Sequence, residues 1–260
     1  MIVVEDLHKT LRGVEVLRGA SLIVEDGEAV ALIGPSGEGK SVFLKHVAGL
    51  MTPDSGEVSV DGQELVGLSH KGLAKLRSVF GFVFQNGALF DSMTVYDNVA
   101  FPMREKSRRR EEEIRGHVLK QIAQVGLAGS EEKFPAEISG GMVRRVALAR
   151  ALVRHPDIVL FDEPTTGLDP IIANSIHELI VAMHKELEFS AIIISHEIPA
   201  VFEIVDRVAM LHGGRIRFMG TPDEIMVADD PVVREFIQGS LPPVRFREVI
   251  CERLMPSRKS

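Results

Sequence analysis

The alternation of apolar and polar positions divides the chain into strand-like and helix-like stretches. Residues 2–7, 14–17 and 20–24 read as short strands, and Asp26-Gly27 supplies turn chemistry before a further apolar run over 29–33. Residues 42–50 have helical character, and Thr52-Pro53-Asp54-Ser55-Gly56 breaks the chain. Residues 57–60 then alternate like a strand up to the turn at Asp61-Gly62, 70–77 suit a helix, and 80–84 form a strand that stops at Gln85. From about residue 86 to residue 154 the period becomes helical, as over 110–125, where Ile114, Val118, Ile122 and Val125 share a face. Strand character returns at 158–161 and 191–194, in apolar runs suited to parallel strands buried on both faces, with a helix over 170–187 between them. Residues 208–212 and 215–219 flank Gly213-Gly214 as a hairpin, and a helix over 231–238 ends at Gly239. The pattern predicts an α/β core with a mostly helical lobe inserted at about 86–154.

Within that pattern, Gly34-Pro35-Ser36-Gly37-Glu38-Gly39-Lys40-Ser41 matches the spacing G-x-x-x-x-G-K-S, between the apolar run at 29–33 and the helix that opens at Val42. Glycines let successive backbone N–H groups curl around an anion, and the following helix adds the positive end of its dipole. Lys40 is expected to reach the β- and γ-phosphates of a nucleotide, and the Ser41 hydroxyl to take a place on Mg²⁺. The bland alternative is a glycine turn with an exposed lysine.

Two further strand tips carry polar groups where open α/β sheets bind ligands. Asp162-Glu163 follows the run 158–161; Asp162 suits a metal contact and Glu163 a general base for an attacking water, although the same pair can simply begin a helix. Ser195-His196 follows 191–194, and His196 is either a capping residue or a donor to the γ-phosphate that holds Glu163 and the water in register. Gln85, at another tip, can offer its amide to the metal or the water and forms the hinge into the helical lobe. Ser139 reads as an N-cap, and the Gly140-Gly141 pair after it costs up to about 1 kcal/mol of helix propensity per residue, more than a plain helix start needs. This predicts a second anion site, best used on the nucleotide of another copy in a head-to-tail C₂ pair.

Composition narrows the partners. With 30 basic and 37 acidic residues the net charge is −7, so nothing favours a nucleic-acid backbone. The run Arg108-Arg109-Arg110 is followed at once by Glu111-Glu112-Glu113, the signature of a solvated helix start with i,i+4 pairs. Cys251 is the only cysteine, which excludes an intrachain disulfide and fits a reducing compartment. No apolar run approaches a membrane span, and Met1 leads into Ile2-Val3-Val4-Glu5-Asp6 with no leader pattern. The chain is therefore expected to be soluble and cytoplasmic, with any membrane role exerted through a partner.

Gly34 to Ser41, Gln85, Ser139-Gly140-Gly141, residues 158–163, Gly167-Leu168-Asp169 and His196, in this order, resemble an ABC-transporter ATPase subunit over nearly the whole chain. The resemblance implies a P-loop NTPase core over residues 1–241, carrying a small antiparallel β subdomain and an inserted helical subdomain. It implies ATP and Mg²⁺ as cofactors: residues 34–42 with Ser139, Gly140, Gly141 and Asp169 on the nucleotide, Ser41, Gln85 and Asp162 on the metal, and Glu163, His196 and Gln85 in catalysis. It also implies an ATP-sandwich homodimer, with Asp169 across the seam, and integral membrane permease subunits engaged through a groove near Gln85. Residues 85–99, the variant Ile138 to Met142 and Pro243-Val244-Arg245-Phe246 look like the ATPases of Mla/Mce-type phospholipid transport systems. That branch implies an Mce-type substrate-binding partner and a place on the cytoplasmic face of the inner membrane. Ile138 and Met142 stand where the wider family has Leu and Gln, and Leu11 or Arg12 stands near the place of its base-stacking aromatic.

Other readings are an ABC ATPase of a different importer or exporter, a soluble ABC protein acting on DNA or the ribosome, and a P-loop kinase or GTPase. The last would not use Ser139-Gly140-Gly141. Residues 242–260, rich in both apolar residues and arginine, are expected to form a C-terminal extension that packs on its own subunit or reaches across to its neighbour.

Overall fold

A computed structural model describes residues 1–106 and 110–241; Arg108, Arg109 and the 242–260 extension lie outside the described residues. The chain begins with β1 (Ile2–Leu11) and β2 (Val14–Val24), a long antiparallel pair where the apolar alternation predicts three short strands. The register shifts between Val4 and Leu7, between Leu7 and His8, and between Lys9 and Thr10. Each irregularity changes which residues face inward, so the alternation stops while the hydrogen-bonded ladder continues.

β3 (Ala29–Ile33) leaves this layer and leads through the glycine loop into α1 (Lys40–Val47). β4 (Ser55–Val60) and β5 (Gln63–Glu64) then complete a four-stranded antiparallel sheet, in the order β2-β1-β4-β5. α2 (His70–Leu76), capped by the Ser69 hydroxyl, precedes β6 (Phe80–Val83). Three helices follow: α3 (Val95–Lys106), α4 (Glu111–Gln124) and α5 (Gly140–Leu152). α5 starts at Gly140, where the Ser139 hydroxyl accepts from the Met142 amide and brings both glycines inside the helix.

The chain then alternates through β7 (Ile158–Asp162), α6 (Pro170–Leu187), β8 (Ser190–Ile194), β9 (Arg207–His212) and β10 (Arg215–Gly220), and ends its described part in α7 (Pro222–Met226) and α8 (Pro231–Ser240). These strands build a six-stranded sheet in the order β10-β9-β3-β8-β7-β6. β9, β3, β8, β7 and β6 are parallel, and β10 folds back antiparallel on β9. β3 and β8 are buried throughout, and β7 up to its last residue, as their unbroken apolar runs require.

Three apolar clusters result. α1 places Phe43, Leu44 and Val47 between the two sheets, against Leu17, Leu22 and Val58. α5, α6 and α8 cover the opposite face of the large sheet with Leu148, Ile176, Ile180 and Ile237. The third cluster lies among α3, α4 and α5 and contains Val99, Ile114, Val118, Ile122 and Val146. Each such side chain contributes about 1.5–3 kcal/mol when fully buried. α5 belongs to both of the last two clusters and joins the helical part to the sheet.

Candidate active site

Parallel register makes several strands end level. Leu32 of β3 and Asp162 of β7 both lie opposite Ile194 of β8, and Val83 of β6 lies opposite Phe161. The glycine loop, Asp162-Glu163, Ser195-His196 and Gln85 therefore leave the sheet along one edge, as open α/β sheets present their ligand sites.

Two glycines of the loop are irreplaceable on steric grounds. A Cβ on Gly34, at φ +141°, would lie 2.1 Å from the Leu211 carbonyl oxygen, and one on Gly39, at φ +98°, would lie 2.6 Å from Val16 Cγ1. Lys40 is buried and donates from Nζ to the carbonyl oxygens of Gly34 and Pro35, each at 2.8 Å. Burial lowers its pKa from the ordinary lysine value. Glu38 faces the β9–β10 hairpin: its Oε2 accepts from the Gly213 amide at 2.6 Å, and His212 Nδ1 lies 3.5 Å from its Oε1. Its carboxylate thus anchors the loop, which keeps a negative charge from facing an anion.

Ser41 and Asp162 meet, the Ser41 hydroxyl donating to Asp162 Oδ1 at 3.0 Å. Burial raises the Asp162 pKa, against the Ser41 hydrogen bond. Beside them the Glu163 carboxylate is held on both oxygens. Oε1 lies 2.7 Å from His196 Nε2, while Oε2 accepts from Gln85 Nε2 at 2.7 Å and from the Thr166 hydroxyl at 3.2 Å. Glu163 has φ +51°, a left-handed conformation that costs a non-glycine residue on the order of 1–3 kcal/mol and is characteristic of functional sites. A cleft of about 340 Å³ opens over these groups, lined by Val16, Gly39, Lys40, Ser41, Glu163 and His196 among others.

Val16 and Thr166 were not singled out by sequence pattern. Val16 is an ordinary strand residue until β2 is seen passing over Gly39, and Thr166 is marked only by its place three residues after Glu163. Leu11 closes β1 and Arg12 sits at φ +51° in the turn to β2, and neither lines the cleft, whereas Val16 of β2 does.

Ser139, Gly140, Gly141 and Asp169 gather elsewhere. Ser139 caps α5, and Asp169 caps α6 by accepting from the Ile171 and Ile172 amides at 3.1 Å each. The two helix starts touch: a Cβ on Gly141 would lie 2.6 Å from Ile172 Cγ2, and one on Gly140 would lie 3.6 Å from Leu168 Cδ2. Exposed Ser139, Gly140 and Asp169 thus share a second surface outside the cleft. Next to Gln85 a groove of about 410 Å³ is lined by Phe80, Phe82, Phe84, Phe90 and Phe101, together with Arg77, Arg150, Arg154 and Glu105. The Arg150 guanidinium donates to the Gly87 and Ala88 carbonyl oxygens at 2.6 and 2.7 Å.

The family profile described as ABC transporter matches residues 17–166. The chain is 42% identical over 238 residues to the "Probable ribonucleotide transport ATP-binding protein mkl" of Mycobacterium tuberculosis, covering 92% of this chain and 66% of that protein. It is 40% identical over 228 residues to the intermembrane phospholipid transport system ATP-binding protein MlaF of Haemophilus influenzae, covering 87% of this chain and 86% of that protein. Among solved structures it is similar to a dimeric, post-hydrolysis ATP-binding cassette bound to ADP and Pi, with TM-score 0.79 and 30% identity over 85% of this chain and 99% of that one.

Proposed function

The chain belongs to the ABC transporter family, and from that premise we propose that it is the ATP-hydrolysing subunit of a phospholipid transporter, active as a homodimer. The observation that carries the reading is the Glu163 carboxylate, fixed by His196, Gln85 and Thr166 at the edge where the glycine loop delivers Lys40. The loop backbone and Lys40 hold the ATP phosphates. Ser41 and Asp162, already 3.0 Å apart, form an oxygen pair suited to Mg²⁺, with Gln85 as a further ligand once its amide leaves Glu163. The metal supplies charge neutralisation on the phosphates when bound. Glu163 orients the attacking water and takes its proton, and His196 holds that carboxylate in place.

Ser139, Gly140, Gly141 and Asp169 complete the reading from the other copy. Their surface lies outside the cleft of their own chain, and a helix start with exposed glycines suits an anion. In a head-to-tail pair each nucleotide then receives one loop and one helix start. Among the described residues no helix is long and apolar enough to cross a membrane, so transport requires permease subunits, which we assign to the phenylalanine groove beside Gln85. An Mce-type lipid-binding partner and a site on the cytoplasmic face of the inner membrane belong to the same reading. The match to a phospholipid transport ATP-binding protein along 86% of that protein's length supports phospholipid as the substrate.

The test is Glu163→Gln. It should lower ATP hydrolysis by roughly 10²–10⁴ while retaining ATP binding, and should trap an ATP-bound dimer. Purified from detergent-solubilised membranes, that dimer should bring an integral membrane subunit and phospholipid with it. Near-normal turnover would remove Glu163 from the mechanism, and a dimer free of membrane partner and lipid would remove the transport assignment.

A further inference from the structure

One buried cation is left unexplained by the site. Arg144, one turn into α5, is only 9% exposed, and its Nε is buried without a hydrogen-bond partner. Among the described residues no carboxylate pairs with it, and burial lowers its pKa. Its neighbour Arg145 differs, donating to the Val125 carbonyl and the Ser175 hydroxyl. A buried guanidinium nitrogen left without a partner is unfavourable for folding, so its place asks for another reason.

Its one side-chain hydrogen bond among the described residues supplies that reason. Nη2 donates to the Thr166 carbonyl oxygen at 3.1 Å, and the hydroxyl of the same threonine donates to Glu163 Oε2 at 3.2 Å. Arg144 is therefore two hydrogen bonds from the Glu163 carboxylate on one side, and one helical turn from Ser139-Gly140-Gly141 on the other. Leu168 and Ile172 occupy the space that a Cβ on Gly140 and on Gly141 would face, alongside this polar tie. A shift of the α5 start must move the turn that carries Thr166, because packed elements transmit displacement rather than absorb it.

We propose that Arg144 is a positioning residue that couples the α5 start to the catalytic turn at Glu163, so that occupancy of one nucleotide site in the homodimer is felt at the other. The inference rests on the head-to-tail reading above, in which the α5 start of one copy meets the nucleotide of its partner while Glu163 serves its own. Coupling of this kind is a free energy shared by two sites and is read as cooperativity in ATP.

The experiment compares Arg144→Met, which keeps the aliphatic bulk and removes charge and donors, with Arg144→Lys, which keeps the charge but not the forked reach. Steady-state ATP hydrolysis, ATP binding and thermal melting are measured on the full chain. For Arg144→Met, kcat should fall about ten- to a hundredfold, the worth of one charged hydrogen bond. KM should stay within about twofold, and the Hill coefficient should fall from above one to one. Its melting temperature should be unchanged or higher, because a buried, unsatisfied Nε is gone. Arg144→Lys should lie between the two.

Wild-type kcat and cooperativity in Arg144→Met, or a non-cooperative unaltered protein, would overturn the proposal. So would a fall in kcat that comes with a lower melting temperature and a higher KM in both variants, the mark of a structural role. Failure of the unaltered chain to hydrolyse ATP, or of Glu163→Gln to dimerise with it, would strike instead at the reading on which the coupling rests.

Discussion

Asp162 shows how single side chains trade stability for chemistry. Burial makes its ionised form costly, so the folded chain holds a proton on this carboxyl more tightly than the unfolded chain does. Its contribution to stability is therefore present at low pH and is lost as pH rises from the ordinary aspartate range through the raised folded value. At neutral pH the ionised carboxylate is what a metal needs and what the fold tolerates least. Asp162→Asn keeps a partner for the Ser41 hydroxyl and removes the buried charge. In chelator, its melting temperature at pH 7 should rise by about 2–4 °C, the equivalent of about 1 kcal/mol in a chain of this size, with the gain shrinking toward pH 4. If Asp162 serves the proposed metal, metal-dependent ATP turnover should fall by about a hundredfold or more. A melting temperature equal to or below that of the unaltered chain would mean that Asp162 imposes no cost.

α5 carries the heaviest demands of any element, since it joins two apolar clusters and brings its glycine start against α6. Gly141→Ala separates its tasks. Alanine favours the helix by about 1 kcal/mol, but its Cβ would lie 2.6 Å from Ile172 Cγ2, so the start of α5 must move away from α6. Melting temperature should change little, while ATP hydrolysis should fall about tenfold or more, because the surface offered to the partner is displaced. Unimpaired turnover in a stable Gly141→Ala chain would dismiss the close approach of α5 and α6 as unimportant.

The same elements show what can be read from sequence. α6 occupies the residues predicted because its signals are local, an Asp169 cap followed by Pro170 at the first helical position. The buried strands end where their apolar runs give way to Asp162 and to Ser195, which placed the polar tips correctly. The apolar alternation shows β1 and β2 only in fragments because bulges interrupt it without breaking the pairing. Val16, Thr166 and Arg144 are prominent only through contacts between elements distant in sequence, and no local period carries that information.

At the scale of the whole molecule, one line runs from the nucleotide cleft to the phenylalanine groove. Gln85 Nε2 is bonded to Glu163, and the preceding Phe84 is one wall of the groove, its ring stacked on Phe82 with centroids 4.1 Å apart. Phe90 and Phe101 form the facing wall, with centroids 4.8 Å apart, and belong to the part of the chain built around α3. Phe84 and Phe90 are exposed, an arrangement that suits an apolar segment of a partner. A change in the bond between Gln85 and Glu163 during turnover is thereby adjacent to the surface where a permease would sit. Phe90→Asp places a charge in that groove, at a residue that does not line the nucleotide cleft. The isolated variant should hydrolyse ATP within about twofold of the unaltered chain, since its own site is intact. It should lose co-purification with the membrane subunit by about tenfold or more, because an exposed ring offered to an apolar partner would be replaced by a carboxylate that must shed its water on docking. Retention of the membrane subunit by a folded Phe90→Asp chain would show that the permease engages some other face.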